Sequence, residues 1–351
     1  MRRAQRSCRR VNGWCSALPA VMLSALALGL SACESASAPE PEPTFDAAVV
    51  ARDYAILAQL LEATHRPALE AVRPQTTGRS FEDAAARAVA TAPRPLTSLR
   101  LISPRSRGVT FVYDASAGTW RADSSRGGAP SNGARFILYA TDADGTPQLD
   151  RETGYADLLD EGAGSDDDIA LRLRVVEGGI TRLDYAARVP DASAPSRITL
   201  AGVMRDATDS LTFDLQLRAE PIDDLPTTAL DLTLRMPQRD LVLGATVRGA
   251  NELNDDGEVR TTATHGGTSL DAMLTRVEND VAGHVDVNQR RFVVISGRAE
   301  SPTLRRPNGD PLGGAELLFV AAVADVSAGL FDVAEGLVRP LDNLLLLASL
   351  L

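Results

Sequence analysis

The sequence predicts a mainly β fold with terminal helices, in which a large bent antiparallel meander sheet packs against N- and C-terminal helices. Three observations predict it. From about Leu99 to Ser301 apolar residues recur at every second position, the period of strands with one buried and one wet face. Turn residues interrupt that pattern at roughly 10–14 residue spacing. On both flanks the period lengthens to three or four, as on an amphipathic helix.

The first element is an export signal. Arg2, Arg3, Arg6, Arg9 and Arg10 form a positive start, and no acid precedes Glu34. The apolar stretch Leu18 to Leu30 follows, within the ~7–15 residues of a signal core and short of the ~20 of a spanning helix. Leu30-Ser31-Ala32-Cys33 then resembles the bacterial lipobox. The resemblance implies cleavage before Cys33, a diacylglycerol on its thiol and acylation of its new amine. It makes the membrane the expected partner through Cys33 and the cell envelope the expected location, the outer membrane in a diderm host because Glu34 rather than Asp follows. Cys8 and Cys15 leave with the signal, so no internal disulfide is expected and burial alone must hold the fold.

Residues 33–44 carry the Pro- and Glu-rich run Glu34 to Thr44, too poor in apolar residues to pack, and are expected to be a disordered tether. Extended at about 3.1 Å per residue, that run reaches roughly 35 Å. Residues 45–97 form an N-terminal helical segment. Val49, Val50, Tyr54, Ile56, Leu57, Leu60 and Leu61 make its first stripe, stopping near Pro67. Ser80 and Asp83 resemble a capping box opening an Ala-rich second helix that Pro93 and Pro95 stop.

The β domain is expected over residues 98–311. Leu211 to Leu217, Leu230 to Met236, Leu241 to Val247, Val281 to Val287 and Leu171 to Val175 alternate almost strictly. The buried set is expected to include Phe213, Leu215, Leu217, Leu232, Leu234, Leu243, Val247, Val285 and Val287. Turns are expected at Ala117-Gly118, Asp142 to Gly145, Gly178-Gly179, Asp206 to Asp209, Asn254 to Gly257, Gly266-Gly267 and Asn288-Gln289. The pattern gives about eleven or twelve strands. Residues 312–351 then read as one or two apolar helices packing on the sheet, with Pro340 as an interruption.

The chain has 36 basic and 47 acidic residues, and every basic one is Arg. Removing the five signal arginines leaves a net of −16, a field that repels nucleic acid and anionic lipid surfaces; no nucleic-acid partner is expected. Absence of Lys excludes Walker-type phosphate loops, Schiff bases and Ser-Lys hydrolases. His65, His265 and His284 show no metal-ligand spacing: His65 closes a helix, His265 adjoins a glycine turn, and His284 alternates onto the polar face beside Asp286. No nucleophile elbow, HExxH or CxxC occurs. Aromatics make up only 4% of the chain, and Trp120 is the only tryptophan left after cleavage, against the aromatic platforms with which glycosidases grip sugars. Asp142 to Gly145 and Asn254 to Gly257 offer carboxylates beside a turn glycine but lack the spaced ligands of an EF-hand. Asp166-Asp167-Asp168 reads as a solvated hairpin end. No enzyme, cofactor or metal is expected, and Cys33 is the one site residue.

A sheet of about eleven strands is roughly 50 Å wide, and three or four terminal helices of about 10 Å each nearly cover its apolar face. In element order from Asp46 to Leu351 the chain resembles periplasmic half-barrel lipid and lipoprotein carriers. That resemblance implies an apolar ligand, a lipid or acyl chain, held between sheet and C-terminal helices. Set against it is a non-enzymatic envelope lipoprotein with a structural or protein-interaction role, in which helices and sheet bury each other. This second function is the expectation, and the carrier its alternative.

Overall fold

The computed structural model describes residues 52, 55–57, 102–143, 146–162, 169–190, 197–206, 208–222, 225–248, 257–324 and 337. Cys33, the signal, the tether and most of the N-terminal helical segment lie outside them. The fold is mainly β: fifteen strands are hydrogen-bonded in one sheet in the order β15-β14-β13-β12-β11-β10-β9-β8-β7-β6-β5-β4-β3-β1-β2. Two compact units divide the chain, with their boundary between Ala219 and Glu220.

One unit comprises residues 60–219 with 332–351. Its strands are β1 Val109–Asp114, β2 Thr119–Ala122, β3 Gly133–Thr141, β4 Pro147–Asp160, β5 Ile169–Glu177, β6 Ile180–Val189, β7 Arg197–Arg205 and most of β8 Ser210–Ile222. From β3 onward neighbours pair antiparallel as a meander. The start departs from it. β1 and β2 form a hairpin, and β1 lies parallel to β3, with Phe111 opposite Phe136. The turn-rich segment 123–132 makes that parallel return without a helix. The period-two reading also began too early, since residues 103–107 are turns and coil before β1.

Burial in this unit follows alternation along β5, where Leu171, Leu173 and Val175 point inward between Arg172 and Arg174. β3 does not alternate: Phe136, Ile137, Leu138 and Tyr139 are all buried. The flanking segments wrap this end, with Gly108 donating to the Gly133 carbonyl and Arg107 to Asp160. Phe111 stacks on Phe136 at 5.1 Å, and Trp120 meets Phe136 edge-on at 5.8 Å.

The other unit comprises residues 1–59 with 220–331. Its strands are β9 Leu225–Met236, β10 Leu241–Arg248, β11 Gly257–His265, β12 Thr268–Val277, β13 Asp280–Val287, β14 Arg290–Arg298 and β15 Ser301–Arg305. All are antiparallel neighbours. A 3-10 turn at Pro237–Arg239 joins β9 to β10. Two-residue turns at Gly266-Gly267 and Asn288-Gln289 take positive φ at both positions, as hairpins matched to strand twist require.

The helix at 314–324 follows β15. Glu316 Oε2 accepts the Gly313 backbone N–H and pairs with Arg306 at 3.1 Å, so the one early acid of this apolar stretch is its N-terminal cap. Phe319, Val320 and Val323 are buried, and Phe319 meets Phe292 of β14 edge-on at 5.9 Å. Leu57, helical and fully buried, belongs to this unit too.

All nine residues named as core by the alternation are buried. The strand count exceeds expectation because β1, β2 and β15 are only four to six residues long. A further hairpin turns at Glu278-Asn279, with Glu278 at φ 53 and no glycine to announce it.

Candidate functional site

The best-defined join between sheet and terminal segment lies on β6, β7 and β8. Alternation turns Leu183 and Tyr185, Leu200 and Met204, and Leu211 to Leu217 to the apolar face. Gly202 stands directly between Tyr185 and Phe213 in the register. A Cβ there would lie 2.3 Å from both the Asp184 carbonyl oxygen and Tyr185 Cβ. The missing side chain lets the two rings converge to 5.8 Å. Tyr185, 1% exposed, donates its hydroxyl hydrogen to the backbone carbonyl of Leu337, which is 0% exposed and helical.

The opposite face is built from paired charges. Arg135 holds Asp157 through two bonds of 2.7 and 2.9 Å, with both side chains largely buried. Its guanidinium also lies 3.7 Å over the Tyr155 ring. The hydrogen bond to Asp157 raises the Arg135 pKa. Arg172 grips Asp184 across β5 and β6 in the same two-pronged way, and Arg260 grips Asp271 across β11 and β12. Asp286 accepts from Arg291.

Charge divides unevenly along the chain. The described residues hold 24 arginines against 24 acids. The acid excess therefore lies in the remainder, including the connecting segments with Asp166 to Asp168, Asp191, Asp223, Asp224, Glu252, Asp255 and Asp256. Each of these connections follows an even-numbered strand. Glu278 and Glu300 sit in the connections after β12 and β14, and none of these six contains Arg, whereas the connection after β2 holds Arg126.

The other residues singled out from sequence are dispersed. His265 ends β11 before its glycine turn. His284 is on the polar face of β13, its Nε2 3.8 Å from Asp286 Oδ2. Asp142 Oδ1 accepts the Thr146 N–H at 2.9 Å within the β3–β4 turn. Asp206 accepts the Thr208 and Asp209 N–H groups at 2.6 and 2.8 Å, bonds that lower its pKa. Cys33, His65, Asp144, Asp166 to Asp168 and Asn254 to Asp256 lie outside the described residues. Among those described, no group of three or more His, Cys, Asp or Glu is placed to hold a metal, and no helix is long and apolar enough to cross a membrane. Trp120 is 2% exposed and packs with Tyr113, Phe136 and Tyr139. Sequence reasoning did not find the Tyr185–Leu337 contact; Gly202 inside an apolar strand was its one signal.

No family model, curated protein or solved structure matches the chain.

Proposed function

We propose that the chain is a non-enzymatic lipoprotein of the cell envelope, anchored to its membrane through Cys33, with a structural or protein-interaction role. The observation that carries the choice of role is the buried Tyr185–Leu337 hydrogen bond. A carrier with its cavity under the C-terminal segment must release that segment to load. Release here would strip a partner from a buried carbonyl and uncover apolar side chains, a cost of about 1–3 kcal/mol for the polar group alone. Phe319 against Phe292 supports the same reading in the other unit. The acid-only connections support protein contact, because such one-signed charge governs encounter and partner choice more than fold.

Two measurements test the reading. Mass spectrometry of the processed N-terminus should find acylated Cys33, and Cys33→Ser should release the protein from membranes. An unmodified Cys33 or cleavage elsewhere overturns the anchor. Deleting Leu341 to Leu351 should abolish cooperative unfolding, and organic extraction of purified protein should yield no stoichiometric lipid. Bound lipid, or a deleted chain that stays folded and gains affinity for a fluorescent fatty acid, replaces the structural role with the carrier.

A further inference from the structure

We propose that Arg188, Arg197 and Arg218, with the Thr199 hydroxyl, form a binding site for a phosphate monoester group on the polar face of β6, β7 and β8. Alternation places them there. Leu183 and Tyr185 on β6, Leu200 and Met204 on β7, and Leu215 and Leu217 on β8 are buried on the apolar face, so the four residues belong to the other. The register then gathers them. Arg188 stands opposite Thr199, Thr199 opposite Gln216, and Arg197 opposite Arg218. Direct partners hold their Cβ atoms about 4.5–5.5 Å apart, and diagonal ones about 7–8 Å. Arg197 lies two residues from Thr199, so Arg188 and Arg197 are diagonal neighbours. Side chains of this length can converge on one group from that spacing.

Two features set this cluster apart from the rest of the face. Elsewhere on it arginine meets acid, as Arg135 meets Asp157 and Arg172 meets Asp184. Here arginine faces arginine, an arrangement that destabilises an antiparallel pair. Arg188 and Arg197 are also exposed, and neither makes an ion pair or side-chain hydrogen bond with a described residue. The surrounding positions are small: Ala170 stands opposite Arg188, and Ala201 is two residues from Thr199. The nearest described carboxylates stand off. Asp214 is opposite Ala201, on the side of Thr199 away from Arg197. Glu161, just after β4 and two strands from Arg188, is bonded by Arg172. A guanidinium fork pairs with two phosphate oxygens at once. A phosphate monoester carries about −1.5 to −2 charges near neutral pH, enough to offset the repulsion between Arg197 and Arg218. A carboxylate, with one charge and two oxygens, offers too little for three guanidinium groups.

Such a group can come from free phosphate or from a lipid headgroup, and the test separates the two. The full chain is titrated calorimetrically with inorganic phosphate and, separately, with a soluble short-chain phosphatidic acid, at an ionic strength fixed with sodium chloride. The parent should bind one phosphate group per chain. Binding of inorganic phosphate marks a soluble anion as the source, and binding of phosphatidic acid alone marks a lipid headgroup. Arg188→Gln and Arg197→Gln should each weaken binding about tenfold or more, the loss of one charged hydrogen bond. Arg205→Gln, on the same face at the far end of β7, should leave it unchanged. Without phosphate, Arg197→Gln should melt no lower than the parent, because it removes the like charge opposite Arg218. Failure of the parent to bind either probe, or unchanged binding in both Arg188→Gln and Arg197→Gln, overturns the site.

Discussion

One missing side chain governs how the β6–β8 face closes. With Gly202 between them, Tyr185 and Phe213 pack ring to ring, and the Tyr185 hydroxyl reaches the Leu337 carbonyl. Two substitutions separate packing from polarity. Gly202→Ala places a methyl 2.3 Å from Tyr185 Cβ and from the Asp184 carbonyl oxygen, which is backbone and cannot swing away. It should destabilise by about 1–3 kcal/mol, as overpacking does. Tyr185→Phe keeps the ring and removes only the donor to the buried Leu337 carbonyl, which should cost about 1–3 kcal/mol. In denaturant titrations both should lower the midpoint, and a Tyr185→Phe midpoint equal to that of the parent would show the carbonyl to be satisfied otherwise.

Among the elements, strands were legible where one face is buried and the other wet, because alternation then follows from the pleat. Leu232 and Leu234 on β9 show this, with Thr233 between them and Asp231 and Arg235 on either side. Truncating either leucine to alanine should cost about 2–5 kcal/mol, and an unchanged midpoint would refute the burial. β3 was illegible for the opposite reason: wrapped on both faces, its run Phe136 to Tyr139 carries no period. The parallel β1–β3 pair depends on a return with no sequence mark of its own. Turns also carry a pH signature. Asp206 has a folded pKa below its unfolded value, since its carboxylate accepts two backbone N–H bonds. The unfolded chain takes up that proton first, so the stabilisation is complete above the ordinary carboxylate range and is lost as pH falls through the lowered folded value. Glu152, bonded by Arg126, acts in the same sense, discounted because the pair is more than one-third exposed. Asp206→Asn should make the acid limb of stability against pH shallower while leaving the neutral plateau nearly flat, and an unaltered limb would remove Asp206 from the account.

At the scale of the whole molecule, charge is sorted between body and connections. The described residues are balanced, and many of their charges meet in Arg–Asp pairs across strands. The excess negative charge belongs to the remainder, including the Arg-free connections. These two populations respond oppositely to salt. Exposed pairs contribute about 0–1 kcal/mol each and weaken when screened, whereas like charges that repel are relieved. Because the most buried of the described pairs, Arg135–Asp157, is little screened, relief of repulsion should dominate. Thermal stability should therefore rise from low salt to about 1 M sodium chloride, where the Debye length falls to about 3 Å. Replacing Asp166, Asp167 and Asp168 together with asparagine should reproduce part of that gain at low salt and flatten the salt dependence. A melting temperature that falls with salt in the parent would mean that the exposed pairs outweigh the repulsion among the acidic segments.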